Sequence, residues 1–346
     1  MGNIVKFSAV NSKIKTLKGK MLKKNQYYQL LNSKGFKDVL TILKENTYYG
    51  EVLKQYDLDK INRGELEIIL YRHYVSIHNK FISYFSGEYR KFIKNLFLKW
   101  EIEDLKIIIR GKYIGRSKEE IERTLIARSS LSTLDYSYLL DSKDLNVLIE
   151  RLKETIYYNS IKNLIKDIDM NGLFRIETEL DFIYFSNIRK ELKHLDKENI
   201  EVIDEIIGLE GDLLNLSWIY RGKKFFNLSS EELFNYTIYD GFKLSKEKIK
   251  LLCYAKNGEE FHDIIKNTKY GYIYEQDETK TIEKREREYE KRYYGKYLKE
   301  NKQNFGMLMS YLNLYRIEMK DIVSIAEQKR YYGDNNNAMN YVSVSL

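Results

Sequence analysis
The chain has 346 residues, 43% of them hydrophobic and 32% charged, with a net charge of +8. This is a folding composition, long enough for two or three compact units, and its basic balance favours acidic partners. The single cysteine, Cys253, excludes an internal disulfide and points to a reducing compartment, and no apolar run approaches the roughly 20 residues of a bilayer span.

The opening stretch, MGNIVKFSAVNSKIKTLKGK, is basic and lacks the apolar core of a signal peptide. Lys6 breaks the myristoylation pattern. The chain contains no proline and 31 tyrosines. Helices can therefore run without breaks, and turns must rely on Gly, Asn, Ser and Asp.

Residues 31–49, LNSKGFKDVLTILKENTYY, open a helical pattern. They align without gaps onto residues 140–158, LDSKDLNVLIERLKETIYY, with about eight identities in nineteen positions. A third copy is expected at KLSKEKIKLL, residues 243–252. Residues 104–115 read DLKIIIRGKYIG, where Leu105, Ile108 and Ile109 fall on one helix face. Residues 215–226, NLSWIYRGKKFF, repeat this with Leu216, Ile219 and Tyr220. Residues 321–332, DIVSIAEQKRYY, repeat it again with Ile322, Ile325 and Ala326, although Glu-Gln-Lys replaces Arg-Gly-Lys. After each Arg-Gly-Lys a serine stands three residues before a glutamate, Ser117–Glu120 and Ser229–Glu232, the capping-box signature of a new helix.

The anchors Asp104, Asn215 and Asp321 lie about 110 residues apart. Such a period is too long for a solenoid and indicates three copies of a whole helical unit. The expected boundaries are 1–126, 127–240 and 241–346, and three like units favour an arrangement near three-fold symmetry. FRIETELDFIYFSNIRKEL, residues 174–192, alternates briefly like a strand. Its Leu180, Ile183, Tyr184 and Ile188 fit a helix better. The run at 280–300, KTIEKREREYEKRYYGKYLKE, reads as a solvated helix face with i, i+4 charge pairs.

Gly111 and Gly222 sit inside apparent helices at a cost of ~1 kcal/mol each relative to Ala. Two readings stay open: close approach of another helix, or a helix end just beyond. Arg110, Lys112, Arg221, Lys223, Lys329 and Arg330 would then form basic helix ends. These are either complements to the helix dipole or a shared surface for an acidic partner. The anchors either bond to a neighbouring helix end or face solvent.

No residue pattern marks a catalytic, cofactor or metal site. His73, His78, His194 and His262 form no H-x-x-x-H pair, one cysteine makes no C-x-x-C site, and neither a G-x-S-x-G elbow nor a phosphate loop is present. Cys253, within LLCYA, reads as a small core residue.

Several passages together resemble the C subunit of the archaeal and bacterial V/A-type rotary ATPases, the counterpart of the d subunit in eukaryotic vacuolar ATPases. They are FSAVNSKIKTLKGKMLKKNQYYQLL (7–31), EIEDLKIIIRGKYIG (101–115), LEGDLLNLSWIYRGKKF (209–225) and EMKDIVSIAEQKRYYG (318–333). The terminal copy departs from the family pattern at Asp321, usually Asn, and Gln328, usually Gly. The resemblance implies an all-α body of three pseudo-symmetric helical units shaped as a funnel. It implies a non-catalytic rotor component without cofactor, nucleic-acid or small-molecule partner. Its partners would be the central shaft, made of the D and F subunits, and the membrane proteolipid ring. The complex would couple ATP turnover to H+ or Na+ transport at the cytoplasmic face. The rival readings are a helical scaffold of another complex and a basic, Tyr-rich RNA-binding protein.

Overall fold
The structure is a computed structural model in which residues 3–128, 131–165, 168, 170–226, 228–239, 241–275, 280–332 and 336–344 are described. Every regular element among them is helical, α or 3-10, as the 3.6-residue period predicts. The predicted apolar faces are the buried ones, except that Tyr220 is only half-buried. Leu105, Ile108, Ile109, Leu216, Ile219, Ile322, Ile325 and Ala326 are all sealed from solvent. Burying each of the leucines and isoleucines contributes roughly 1.5–3 kcal/mol.

The chain divides into two compact units. Unit 1 joins the two chain ends, residues 1–80 and 269–346, and unit 2 holds residues 81–268.

In unit 1 the Asn3–Lys20 helix packs along the Phe305–Tyr332 helix. Phe7 meets Phe305 edge-on at 5.5 Å, and Asn11 donates to the Lys302 carbonyl at 3.2 Å. Beside them the Ile282–Glu300 helix forms a hairpin with Phe305–Tyr332. Asn301 turns the chain in the left-handed region at φ 52°, a conformation Asn tolerates better than most residues.

The Ile282–Glu300 helix corrects one expectation. Its i, i+4 pairs are present, Lys284–Glu288 at 4.0 Å and Lys296–Glu300 at 3.8 Å. Yet Lys284, Arg285, Arg287 and Glu290 are buried. Each has a partner outside the helix-face pattern. Lys284 donates to the Met339 carbonyl at 2.6 Å, and Arg285 to the Ile273 carbonyl at 2.8 Å. Arg316 pairs with Glu290 at 2.6 Å, and Arg287 with Asp321 at 3.1 Å. A charge run tolerates burial when every charge has a partner.

In unit 2 the Met170–Leu192 and Lys197–Phe225 helices form the matching hairpin. The first buries Ile176, Leu180, Tyr184 and Ile188, every fourth residue, so the strand alternative is excluded. Asp196 caps the second helix by accepting from the Asn199 N–H at 3.2 Å. The equivalent long helix in the first third of the chain is split at Phe97 into Gly87–Leu96 and Leu98–Tyr113. Absence of proline therefore does not by itself keep a helix whole. Both predicted capping boxes form, with Ser117 and Ser229 each accepting from the glutamate N–H three residues on at 3.2 Å.

The third copy of the Ser-Lys phrase lies elsewhere than expected. Ser245 simply caps the Lys246–Tyr254 helix. The matching helix is the next one, Gly258–Ile265, capped by Asn257 where Gly35 and Asp144 stand in the other copies. Shared hydrogen bonds establish the register. The Lys34 N–H donates to Asp38 at 2.9 Å, and the Lys256 N–H donates to Glu260 at 2.6 Å. Thr47, Thr155 and Thr268 each close the following turn on a carbonyl, of Leu43, Leu152 and Ile265, at 2.6, 2.7 and 2.7 Å. Two residues after each threonine stands a fully buried tyrosine, Tyr49, Tyr157 or Tyr270.

Candidate functional site
Asp104, Asn215 and Asp321 have no exposed surface. Each holds the backbone that returns past its own helix. Asp104 accepts from the Ile126 and Ala127 N–H groups at 2.7 and 2.8 Å. Asn215 accepts from the Ile238 N–H and donates to the Ile238 carbonyl, both at 2.7 Å. Asp321 accepts from the Ser343 N–H at 3.1 Å and the Ser343 hydroxyl at 2.6 Å. The closed loop is 22 or 23 residues long in every copy.

The choice of residue follows from what the returning chain offers. Two donors call for a carboxylate, and a donor beside an acceptor calls for an amide. Asp321 is a carboxylate where Asn215 is an amide because Ser343 presents two donors and the Arg287 guanidinium supplies a counter-charge.

A second acid, three residues before each anchor, was not singled out in the sequence. Glu101, Asp212 and Glu318 are all buried, one helical turn from the anchor. Each reaches the opening segment of the following repeat. Glu101 accepts from Ser132 and the Thr133 N–H at 2.5 Å, and from the Tyr157 hydroxyl at 2.5 Å. Asp212 accepts from the consecutive N–H groups of Phe242, Lys243 and Leu244 at 3.1, 2.6 and 3.2 Å. A side chain at Gly241 would collide with Asp212, so this close wrap needs glycine there.

Glu318 lies in the last repeat and reaches the first. It accepts from the Leu22 N–H at 2.7 Å and the Tyr49 hydroxyl at 2.9 Å. Tyr49 and Tyr157 are structural counterparts, each fully buried two residues after a turn-closing threonine, although the gapless alignment pairs Tyr49 with Tyr158. The acids at 101, 212 and 318 therefore reach residues 132–157, 242–244 and 22–49 respectively. Burial pushes the Glu318 carboxyl up to about 7, against the pull of its Tyr49 and Leu22 donors.

The Arg-Gly-Lys phrase resolves into three jobs. Glycine admits the capped helix. A Cβ on Gly111 would lie 2.6 Å from Ile121, and one on Gly222 would collide with Leu233. At Gly111 the helix also ends nearby, with Gly115 at φ 76° and the Arg116 N–H returning to the Gly111 carbonyl at 2.9 Å. Both open readings of the glycine thus hold in the first copy.

Lysine turns inward. Lys112 donates to the Leu140 carbonyl at 2.6 Å and Lys223 to the Ala255 carbonyl at 2.7 Å, each in the next repeat. Desolvation lowers the pKa of both. Lys329 is buried as well. Arginine stays outside. Arg110, Arg221 and Arg330 are exposed.

Arg110 pairs with Glu177 at 2.7 Å. The third copy reverses that polarity: Glu327, at the position of Arg110, pairs with Arg63 at 2.6 Å. The substitution that weakens the third sequence match is compensated across the contact.

Outside these networks, Cys253, His73 and His78 are set against catalysis. Burial pushes the Cys253 thiol up to about 12, opposite to what a nucleophile needs. Burial holds His73 and His78 near 4, hence neutral. Among the described residues no cluster of His, Cys, Asp and Glu could hold a metal ion, and no helix is long and apolar enough to cross a membrane.

Comparison with known proteins agrees with the resemblance. The family model described as ATP synthase (C/AC39) subunit matches residues 10–341. The A-type ATP synthase C subunit of Methanosarcina acetivorans is 30% identical over 260 residues, 75% of this chain and 69% of that one. That of Methanobrevibacter smithii is 23% identical over 341 residues, 96% and 86% of the two chains. That of Pyrococcus horikoshii is 32% identical over 165 residues, 47% and 44%. The chain belongs to the ATP synthase (C/AC39) subunit family, a non-catalytic component of that complex.

Proposed function
We propose that the protein is a torque-transmitting collar in the rotor of its synthase. One side would receive the central shaft, made of the D and F subunits, and the other would sit on the proteolipid ring at the cytoplasmic face of the membrane. Turning of the shaft would turn the ring, so that ATP turnover and H+ or Na+ transport drive one another. The three repeats, near 1–126, 127–240 and 241–346, would stand around a common axis as a funnel.

The observation that carries this reading is the set of buried acids. Glu101, Asp212 and Glu318 each grip the opening segment of the following repeat, and the last grips the first. A body under torsion needs each repeat tied to its neighbour with no loose end. Buried charge-assisted hydrogen bonds, about twice as strong as neutral ones, serve that purpose. Exposed Arg110, Arg221 and Arg330 are the proposed contacts with acidic partner surfaces, while the inward Lys112, Lys223 and Lys329 hold the collar itself.

The test is co-purification. Tagged full-length chain should capture both the shaft proteins and the proteolipid ring from solubilised membranes. Capture of neither would remove the reading, and capture of only one would reduce the protein to a peripheral scaffold.

A further inference from the structure
Ten residues after each anchor, at the end of its helix, stands a large apolar side chain in solvent. These are Ile114, Phe225 and Tyr331, 57%, 65% and 63% exposed. A single exposed apolar residue needs no explanation. The same register in three copies is different: Ile114, Phe225 and Tyr331 share it although the side chains themselves differ.

Each tip carries an exposed cation, although Glu327, paired with Arg63, stands one turn from Tyr331 in the third. Arg116 is exposed beside Ile114, Arg221 and Lys224 beside Phe225, and Arg330 beside Tyr331. No Asp or Glu occurs from residue 110 to 118 or from 220 to 230. The cations lie close to the rings: the Lys224 ammonium is 5.5 Å from the Phe225 centroid and the Arg330 guanidinium carbon 5.2 Å from that of Tyr331.

We propose that these tips are anchors for an anionic phospholipid surface. An apolar or aromatic side chain flanked by Lys and Arg is the chemistry of the bilayer interface, where the ring or alkyl group enters the acyl boundary and the cations stay with the headgroups. A protein partner of ordinary size needs about 800 Å² of continuous surface on each side. A tip with one protruding side chain does not supply that, whereas lipid accepts side chains one at a time. The positive tips complement negative headgroups, as they would not complement a neutral bilayer. This goes beyond the collar reading, which assigns the membrane-side contact to ring protein; it gives Arg221 and Arg330 to headgroups and leaves Arg110 to an acidic partner surface.

The test uses the full chain and protein-free vesicles, so its failure leaves the collar reading untouched. Vesicles of phosphatidylglycerol and phosphatidylcholine should bind the chain at low salt, and pure phosphatidylcholine vesicles should not. The combined variant Ile114→Ser, Phe225→Ser, Tyr331→Ser should bind about tenfold or more weakly, as loss of inserted apolar area requires. Ile156→Ser, which removes an exposed apolar side chain belonging to no tip, should bind as the parent does. Equal binding to both vesicle types, undiminished binding of the triple variant, or an equal loss from Ile156→Ser would overturn the proposal. So would indifference to vesicles combined with release of the triple variant from the complex, since the tips would then dock on protein.

Discussion

Unit 1 and unit 2 solve one geometric problem with different chemistry. In unit 2, Asp104 and Asn215 hold their returning segments by bonds to backbone N–H and carbonyl groups. In unit 1, Asp321 adds an ion pair with Arg287, and a second pair, Arg316–Glu290, lies beside it. Unit 1 is also where the two chain ends meet. Both pairs lie within residues 287–321 and brace the hairpin of Ile282–Glu300 with Phe305–Tyr332. The chain ends themselves are joined by Glu318 with Leu22 and Tyr49 and by Glu327 with Arg63, so unit 1 relies on more buried or paired charge than unit 2 and is more exposed to single-site damage.

The largest expected effect follows from that difference. Asp321→Ala leaves Arg287 buried without its carboxylate and should destabilise by about 3–5 kcal/mol. Asp104→Ala leaves two N–H groups unsatisfied and should destabilise by about 2–3 kcal/mol, near the lower end of that range. Denaturant titration of both variants checks the order. An Asp104→Ala effect equal to or larger than that of Asp321→Ala would erase the distinction between the units.

Glu318 makes unit 1 sensitive to pH. Its folded pKa of about 7 lies above the ordinary 4.5, so between these values the folded chain keeps a proton that the unfolded chain releases. That stability is complete below about pH 4.5 and is lost as pH rises through about 7. Thermal melts should show the parent losing stability relative to Glu318→Gln as pH rises across this window, by about 3 kcal/mol. A constant difference from pH 4.5 to 7 would contradict the assigned protonation.

Gly111→Ala gains ~1 kcal/mol of helix propensity but forces its Cβ into Ile121, so a net loss of about 1–2 kcal/mol is expected. Gain of stability would mean that the helices have room to part. The smallest effect belongs to the surface. Arg110→Ala breaks a half-exposed pair with Glu177 and should cost no more than about 1 kcal/mol, decreasing with added salt.

The helical class, the repeat, the capping boxes and the three anchors are all legible in the sequence because each rests on short-range spacing. Three features are not. The third Ser-Lys helix is hidden because Ala255 and Asn257 replace the motif residues, while Ser245-Lys246 imitates them ten residues too early. The buried charges of residues 280–300 look solvated because their partners, such as Asp321 and Met339, are remote in sequence. Glu101, Asp212 and Glu318 look like surface carboxylates for the same reason. Their signal was nevertheless available, as an acid one turn before every anchor. Within Arg-Gly-Lys, residue type alone did not reveal that lysine reaches inward and arginine outward; that depends on carbonyl groups 28 and 32 residues away.

The central claim is mechanical coupling, and coupling can be measured in vesicles holding the reconstituted complex with and without this chain. The account predicts that the complete complex builds an ion gradient on ATP addition, while the complex lacking the chain hydrolyses ATP and builds none. An undiminished gradient without the chain would contradict it.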